Sequence, residues 1–243
     1  MKEKELFEEY FKMISSVVRA NFYNKELEDV KREIAEFFND IDGYWMEISD
    51  KQLIDITIRS AYFFSLIHII LPTLYSIFLN LLLGYLPACF MGLRLIVETS
   101  SKALATDYIF KFEGVSLEGV DMFEKHLWKK ERISMSKFLS EKFSRIVGKE
   151  VAGRTKGLWN KLSGKWIHFR GIAKRINREI KKGKVPTNVK YLYLPVELDI
   201  EDTEDLRELA NVIAETRDLL KIFHKHWKNL VKSYYTPTSL LRA

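Results

Sequence analysis

From Ser60 to Leu93 the chain carries no Asp, Glu, Lys or Arg. A run of that length must be hidden from water along most of its surface, either by the rest of the chain or by lipid. Ser60 to Leu83 alone exceeds the roughly 20 apolar residues that cross a bilayer. Three features favour a protein interior. Ser65, His68, Thr73, Ser76 and Asn80 dilute its apolar density, Pro72 bends it, and Arg94, Glu98 and Lys102 follow too soon for a second crossing. A helix enclosed by amphipathic neighbours is hydrophobic all round for the same reason. The expectation is therefore a buried central helix.

Gly84-Tyr85-Leu86-Pro87-Ala88 interrupts this run. Gly84 suits the left-handed position that ends a helix. Pro87 suits the first turn of the next, where its missing N–H has no partner to lose. The run thus folds back as an αα-hairpin, with helices expected over 50 to 83 and 87 to 110. Ser49-Asp50-Lys51-Gln52 reads as the capping box of the first. On the second, Leu86, Phe90, Leu93, Val97, Leu104 and Tyr108 recur at three- and four-residue steps and mark a buried side. Arg94 and Glu98, one turn apart, are set to pair within it.

The flanking sequence is also helical. Leu6, Phe7, Tyr10, Phe11, Ile14, Val17 and Val18 form a stripe over residues 2 to 22. Asn24 can cap a second helix whose Leu27, Val30, Ile34, Phe37 and Phe38 face inward. Asn39-Asp40-Ile41-Asp42-Gly43 reads as a solvated turn that ends it. Lys111 to Gly119 reads as a connection, with shorter helices over Asp121 to Arg132, Met135 to Val147 and Val151 to Ser163. Tyr191 to Ile200 is extended in character. Asp202 or Thr203 caps a last long helix through Leu206, Leu209, Val212, Ile213, Leu219, Leu220, Phe223, Trp227 and Val231 to Tyr234, with a loose tail from Thr236. The chain of 243 residues, with 47% hydrophobic and 30% charged residues and only 11 Gly and 5 Pro, is expected to be a single all-α domain packed around the apolar hairpin.

One cysteine, Cys89, excludes an intramolecular disulfide and a zinc site built on several cysteines. A cytoplasmic home and no cofactor are expected, since the start lacks the basic and apolar runs of a secretory signal. His224 and His226 point in different directions on a helix, so no metal pair is expected there. Charge is uneven. Between Arg145 and Lys190 lie 14 basic residues and only Glu150 and Glu179, giving 14 − 2 = +12 against +6 for the whole chain. A field of that size favours nucleic acid or an acidic protein, or is simply a solvated face.

Two candidate sites emerge. Arg94 and Glu98, a charged pair in an apolar surface, either hold a neighbouring helix or bind an anion and move a proton. The second is Leu162-Ser163-Gly164-Lys165-Trp166-Ile167-His168-Phe169-Arg170. The ordinary range of a histidine makes His168 a candidate for acid–base catalysis, and Arg170 suits a phosphate. Ser163 and Lys165 beside them, with Arg175 and Arg178 beyond, are binding candidates. A histidine between Ile and Phe is also a common packing residue.

The order of Gly84-Tyr85-Leu86-Pro87-Ala88, then Arg94 to Glu98, then Leu162-Ser163 to His168 resembles a largely uncharacterised family of all-helical archaeal and bacterial proteins, akin to the RNA- and nucleotide-associated HEPN domains. The resemblance covers residues 50 to 170 and implies an all-helical fold with RNA-linked function. HEPN ribonucleases place a His shortly after an Arg on one helix, a spacing that neither Arg154 nor Arg170 makes with His168. The readings carried forward are a helical binding protein that contacts nucleic acid or an acidic partner and self-associates, a HEPN-like RNA-processing or defence enzyme using His168 and Arg170, and a membrane-associated protein anchored through 60 to 83.

Overall fold

A computed structural model describes residues 3–47, 59–112, 133–164 and 195–235, together with 177, 180 and 181. Of these, 91% are helical and none is in a strand, so the fold is all-α. The helices are α1 (Glu3–Tyr23), α2 (Glu28–Glu47), α3 (Ala61–Ser65), α4 (Leu71–Leu82), α5 (Leu86–Phe110), α6 (Met135–Lys137), α7 (Ser144–Val147), α8 (Lys149–Gly164) and α9 (Thr203–Tyr235). Wide π turns join α3 to α4 over Leu66–Ile70 and α6 to α7 over Phe138–Phe143.

The hairpin forms at the expected place. Gly84 has φ 71° and Pro87 lies in the first turn of α5. Its tip is clasped by the segment before α9. Val196 N–H donates to the Leu83 carbonyl at 3.0 Å. Asn21 at the end of α1, fully buried, donates to the carbonyls of Leu82 and Val196 and accepts from Leu198 N–H. Three chain segments are tied by one side chain.

The first arm of the hairpin differs from its expected form in two ways. Ser60 has extended backbone, φ −79° and ψ 121°, and caps α3 through its hydroxyl, so no single helix runs from 50 to 83. Within the rod, Pro72 has no N–H to give the carbonyl four residues back, and its ring would strike it. The π turn just before it absorbs that mismatch, with Leu71 N–H reaching back to Leu66.

Nor is this arm hydrophobic because it is enclosed all round. Tyr62, Leu66, Ile70, Leu74, Ile77 and Leu81 are buried, while Phe64, Tyr75 and Leu79 are exposed. The rod from Ala61 to Leu82 is long and apolar enough to cross a membrane, and 39% of its most apolar stretch is buried inside the molecule. It has one core face and one open face. On α5, Leu86, Phe90, Leu93, Val97 and Leu104 are buried as expected, whereas Tyr108 is exposed. Gly92 lets the two arms approach, because a Cβ there would sit 2.7 Å from Ile77 Cγ1.

Around the hairpin, α9 packs against α2 and α5, α2 and α1 against α4, and α8 against α5. The buried side of α9 runs from Leu206 through Phe223 and Trp227 to Val231, as its spacing requires, and joins one contiguous core with α2 and the hairpin. On α1 the stripe is only partly used, since Tyr10 and Phe11 are exposed.

The expected turn at Asn39 to Gly43 does not exist, because α2 continues to Glu47. Ile41 and Tyr44 extend its buried face beyond Phe37. Asp40 is held by Lys221 at 2.9 Å and Arg217 at 3.5 Å, which removes its reason to terminate the helix. Glu33 and Glu36 meet the same Arg217. Acids on α2 therefore face bases on α9 in ascending register, and packing overrides a turn-like composition. The cap of the last helix also shifts. Asp199 caps a short 3-10 turn, Ile200–Asp202, in a reciprocal box with the buried Asp202, and α9 continues from it. The expected connection after Phe112, the helix over Asp121 to Arg132 and the tail from Thr236 lie outside the described residues.

Two glycines predict opposite responses to alanine. At Gly84 a Cβ would lie 1.9 Å from the Val196 carbonyl oxygen at a left-handed φ, so Gly84→Ala is expected to cost about 3 kcal/mol or more. At Gly157, in α8 with nothing within 4 Å of an added Cβ, alanine is expected to stabilise by about 0.5–1 kcal/mol. Urea unfolding of the two variants checks both signs.

Candidate functional site

The Arg94–Glu98 pair forms at 3.0 Å, with both side chains about a quarter exposed. Glu98 Oε1 also accepts the indole N–H of Trp159 at 2.6 Å, and the Arg94 guanidinium lies over the Trp159 ring at 5.0 Å. The pair thus ties α8 to the hairpin by a charge-assisted hydrogen bond and a cation–π contact. Ser163, one turn beyond Trp159, donates to the Trp159 carbonyl of its own helix at 2.7 Å. Arg94 and Glu98 therefore gather around one aromatic side chain, while Ser163 is engaged with the backbone of its own helix. His168 and Arg170, with Lys165, Arg175 and Arg178, lie outside the described residues.

Sequence reasoning missed Asp107. It is 2% exposed and faces the N-terminus of α3. Its carboxylate accepts Ala61 N–H at 2.7 Å, Tyr62 N–H at 3.1 Å and the Ser60 hydroxyl at 2.6 Å. Ser60 Oγ in turn accepts Phe63 N–H and, at 2.9 Å, the indole N–H of Trp227 on α9. The free N–H groups and positive end of α3 suit a carboxylate. Burial nevertheless dominates and pushes Asp107 up to about 6, a rise that the Ser60, Tyr62 and Ala61 donors hold back. No local signal marked this residue, since its partners are 45 to 47 positions away.

In the sequence His224 stands out only by its spacing from His226. Its ring stacks on Tyr44 at 4.0 Å and 16° and lies 5.5 Å from Trp227. Nε2 stands 3.3 Å from Glu47, which Lys228 holds at 2.7 Å. Burial pulls the imidazole below its ordinary range despite Glu47, while Lys228 and His224 lower Glu47 against its own desolvation. Burial, with Asp40 and Glu47 nearby, raises Tyr44 well above a normal phenol. The Tyr44 hydroxyl and His224 Nδ1 are buried without a hydrogen-bond partner among the described residues. At 4% exposed, His224 is closed to any substrate, and the cluster acts as an aromatic joint between α2, α3 and α9.

Concave surfaces offer little more. A cavity of about 190 Å³ between α5, α7 and α9 is lined by Leu104, Tyr108, Ile146, His226 and Asn229, among others. That is below the roughly 300 Å³ at which pockets enclose small ligands. The larger trough at Phe11, Ser15, Arg19 and Tyr23 is the open side of α1 alone. Among the described residues no group of three His, Cys, Asp or Glu is placed to hold a metal ion.

Charge is gathered on the outer side of α8. Lys149, Arg154 and Lys161 are exposed and Lys156 half-exposed, and none of the four is in an ion pair among the described residues. At 100° per residue, Lys149 and Lys156 fall on one edge of a strip formed by Gly153, Gly157, Asn160 and Gly164. Arg154 and Lys161 fall on the other, beside Glu150. Nothing lies within 4 Å of a Cβ at any of the three glycines. Comparison of the chain with family models, curated proteins and solved structures finds no significant match.

The buried carboxylate makes a signed prediction. Asp107 has an ordinary value of 3.8 and is raised to about 6 in the fold, so the native state binds the extra proton between them. Its contribution to stability is greatest below 3.8 and is lost as pH rises through 6. At 1.36 kcal/mol per unit this loss is on the order of 3 kcal/mol. The unfolding free energy of the wild type minus that of Asp107→Asn should fall across this range, measured by urea titration at stepped pH. A flat difference would contradict the assignment.

Proposed function

We propose that the protein is a helical binding protein that contacts nucleic acid through its basic segment, residues 145 to 190. The single observation that carries this reading is the outer face of α8. Two cations on each edge of the strip of Gly153, Gly157, Asn160 and Gly164, with Glu150 beside one pair, flank open backbone with a net positive charge. A phosphate chain needs such an arrangement, namely close approach to backbone with Lys and Arg on both sides. Exposed glycines within a helix cost about 1 kcal/mol each relative to alanine. No side chain of the described structure approaches them to account for that cost.

Binding of this kind is electrostatic and independent of sequence, and counterion release dictates its salt dependence. Each neutralised phosphate contributes a slope of about −0.9 in log K against log salt for duplex DNA and about −0.7 for single strands. Fluorescence anisotropy with a short labelled RNA strand and a labelled DNA duplex should detect binding at low salt. Replacing Lys149, Arg154, Lys156 and Lys161 together by Ala should flatten the slope by about 3 to 4 while leaving helicity unchanged. No binding at low salt, or an unchanged slope in the quadruple variant, would overturn the reading. Cleavage of the RNA during titration would favour the RNA-processing alternative attached to His168 and Arg170.

A further inference from the structure

We infer that the outer face of the α3–α5 hairpin is a self-association surface that takes a second copy of this chain. Phe64, Pro72, Tyr75 and Leu79 follow one another down the open side of the first arm, the π turn carrying the strip past His68, whose ring lies 4.4 Å from that of Phe64. Met91 and Leu95 on α5 flank it, because Gly92 sits against Ile77 and Thr73 and brings the two arms into close contact. Phe64, Tyr75, Leu79, Met91 and Leu95 are 44%, 56%, 59%, 49% and 45% exposed.

Area decides that this strip needs a partner. At roughly 200 Å² per large side chain, five that are half exposed offer on the order of 500 Å². A patch of about 300–600 Å² is the largest that a typical monomer shows, and such a patch is often functional. The half-buried Ile67, Leu71 and Phe78 at its margins extend the strip toward the ~800 Å² that each partner of a standard dimer buries.

Chemistry selects the partner. The strip has aromatic residues, Met and Leu and no charge at its centre, the composition of an interface core. His68 and Ser76 interrupt it, and Glu98 and Lys102 continue the α5 stripe beyond Leu95. In hydrocarbon each of these is costly. Across a protein interface the first pair can be hydrogen-bonded and the second forms a polar rim. The face is neutral, so it neither attracts nor repels a differently charged protein. A copy of itself, placed by a two-fold axis that sets the strip against its own image, matches it in length and polarity.

Sedimentation equilibrium of the full chain over a wide concentration range should give twice the 28.7 kDa chain mass at high concentration. Leu79→Glu with Met91→Glu should weaken the dimer by more than tenfold with unchanged circular dichroism. The uncharged pair Leu79→Ser with Met91→Ser should move it in the same direction. Monomer at every concentration, or dimer affinity unchanged from the wild type in both double variants, would overturn the inference. So would wild-type monomer that floats with phosphatidylcholine vesicles while the variants do not, since the strip would then face lipid.

Discussion

One buried carboxylate decides how the two arms of the hairpin close at their open end. Asp107, near the end of α5, caps α3 from across the hairpin, and Ser60 passes the contact on to Trp227 of α9. An isolated charge in a core would cost many kcal/mol. Here two helix N–H groups and a hydroxyl supply part of the solvation that water would give, so the cost falls without vanishing. The same contact explains why the helix begins at Ser60. A backbone break in an apolar run leaves N–H groups that need acceptors, and the acceptor comes from the partner helix rather than from neighbouring sequence.

The opposite end of the hairpin is fixed by different chemistry toward the same result. Gly84 permits the turn, and Asn21 and Val196 satisfy the carbonyls that the turn leaves free. Between these ends, α2 and α9 run side by side with Glu33, Glu36, Asp40 and Glu47 opposite Arg217, Lys221, His224 and Lys228. Partly exposed pairs of this kind contribute little energy singly. Their ascending order instead matches the register in which the apolar faces of the two helices pack.

The helical class, the hairpin and the buried face of α9 were legible in the sequence because each rests on local rules. Gly84 and Pro87 carry their meaning within a few residues, and α9 repeats its pattern over 33 residues. What escaped depends on distant residues. Asn39 to Gly43 has the composition of a turn and stays helical because Arg217 and Lys221 neutralise Asp40 from another helix. Ser60 has no local signature as a break, since its need for Asp107 spans 47 positions. The uncharged run was read as enclosed, but absence of charge does not state how many neighbours a helix has. Of the candidate site, Arg94 with Glu98 was legible as an i,i+4 pair, whereas Trp159 as its third member required the fold.

The division of polar groups indicates where function can reside. Asp107, Asn21, Asp202 and Arg217 are committed to holding elements together, and the Tyr44–His224 stack is sealed from solvent. A group that caps a helix or seats a register cannot also move or accept a ligand without loosening the core that depends on it. What remains unengaged lies on the outside. The cationic outer face of α8 is held in place by Trp159 against Glu98, so the surface proposed to meet a polyanion is anchored to the hairpin that also carries the exposed apolar strip. If both are used, α5 stands between them. Glu98 on α5 meets Trp159 of α8, and Met91 and Leu95 in the turns before it lie on the face proposed for a second copy, so pairing two chains would double the cationic surface on a rigid support. Doubling of that sort raises affinity for a long polyanion through effective concentration, without any new contact within either chain.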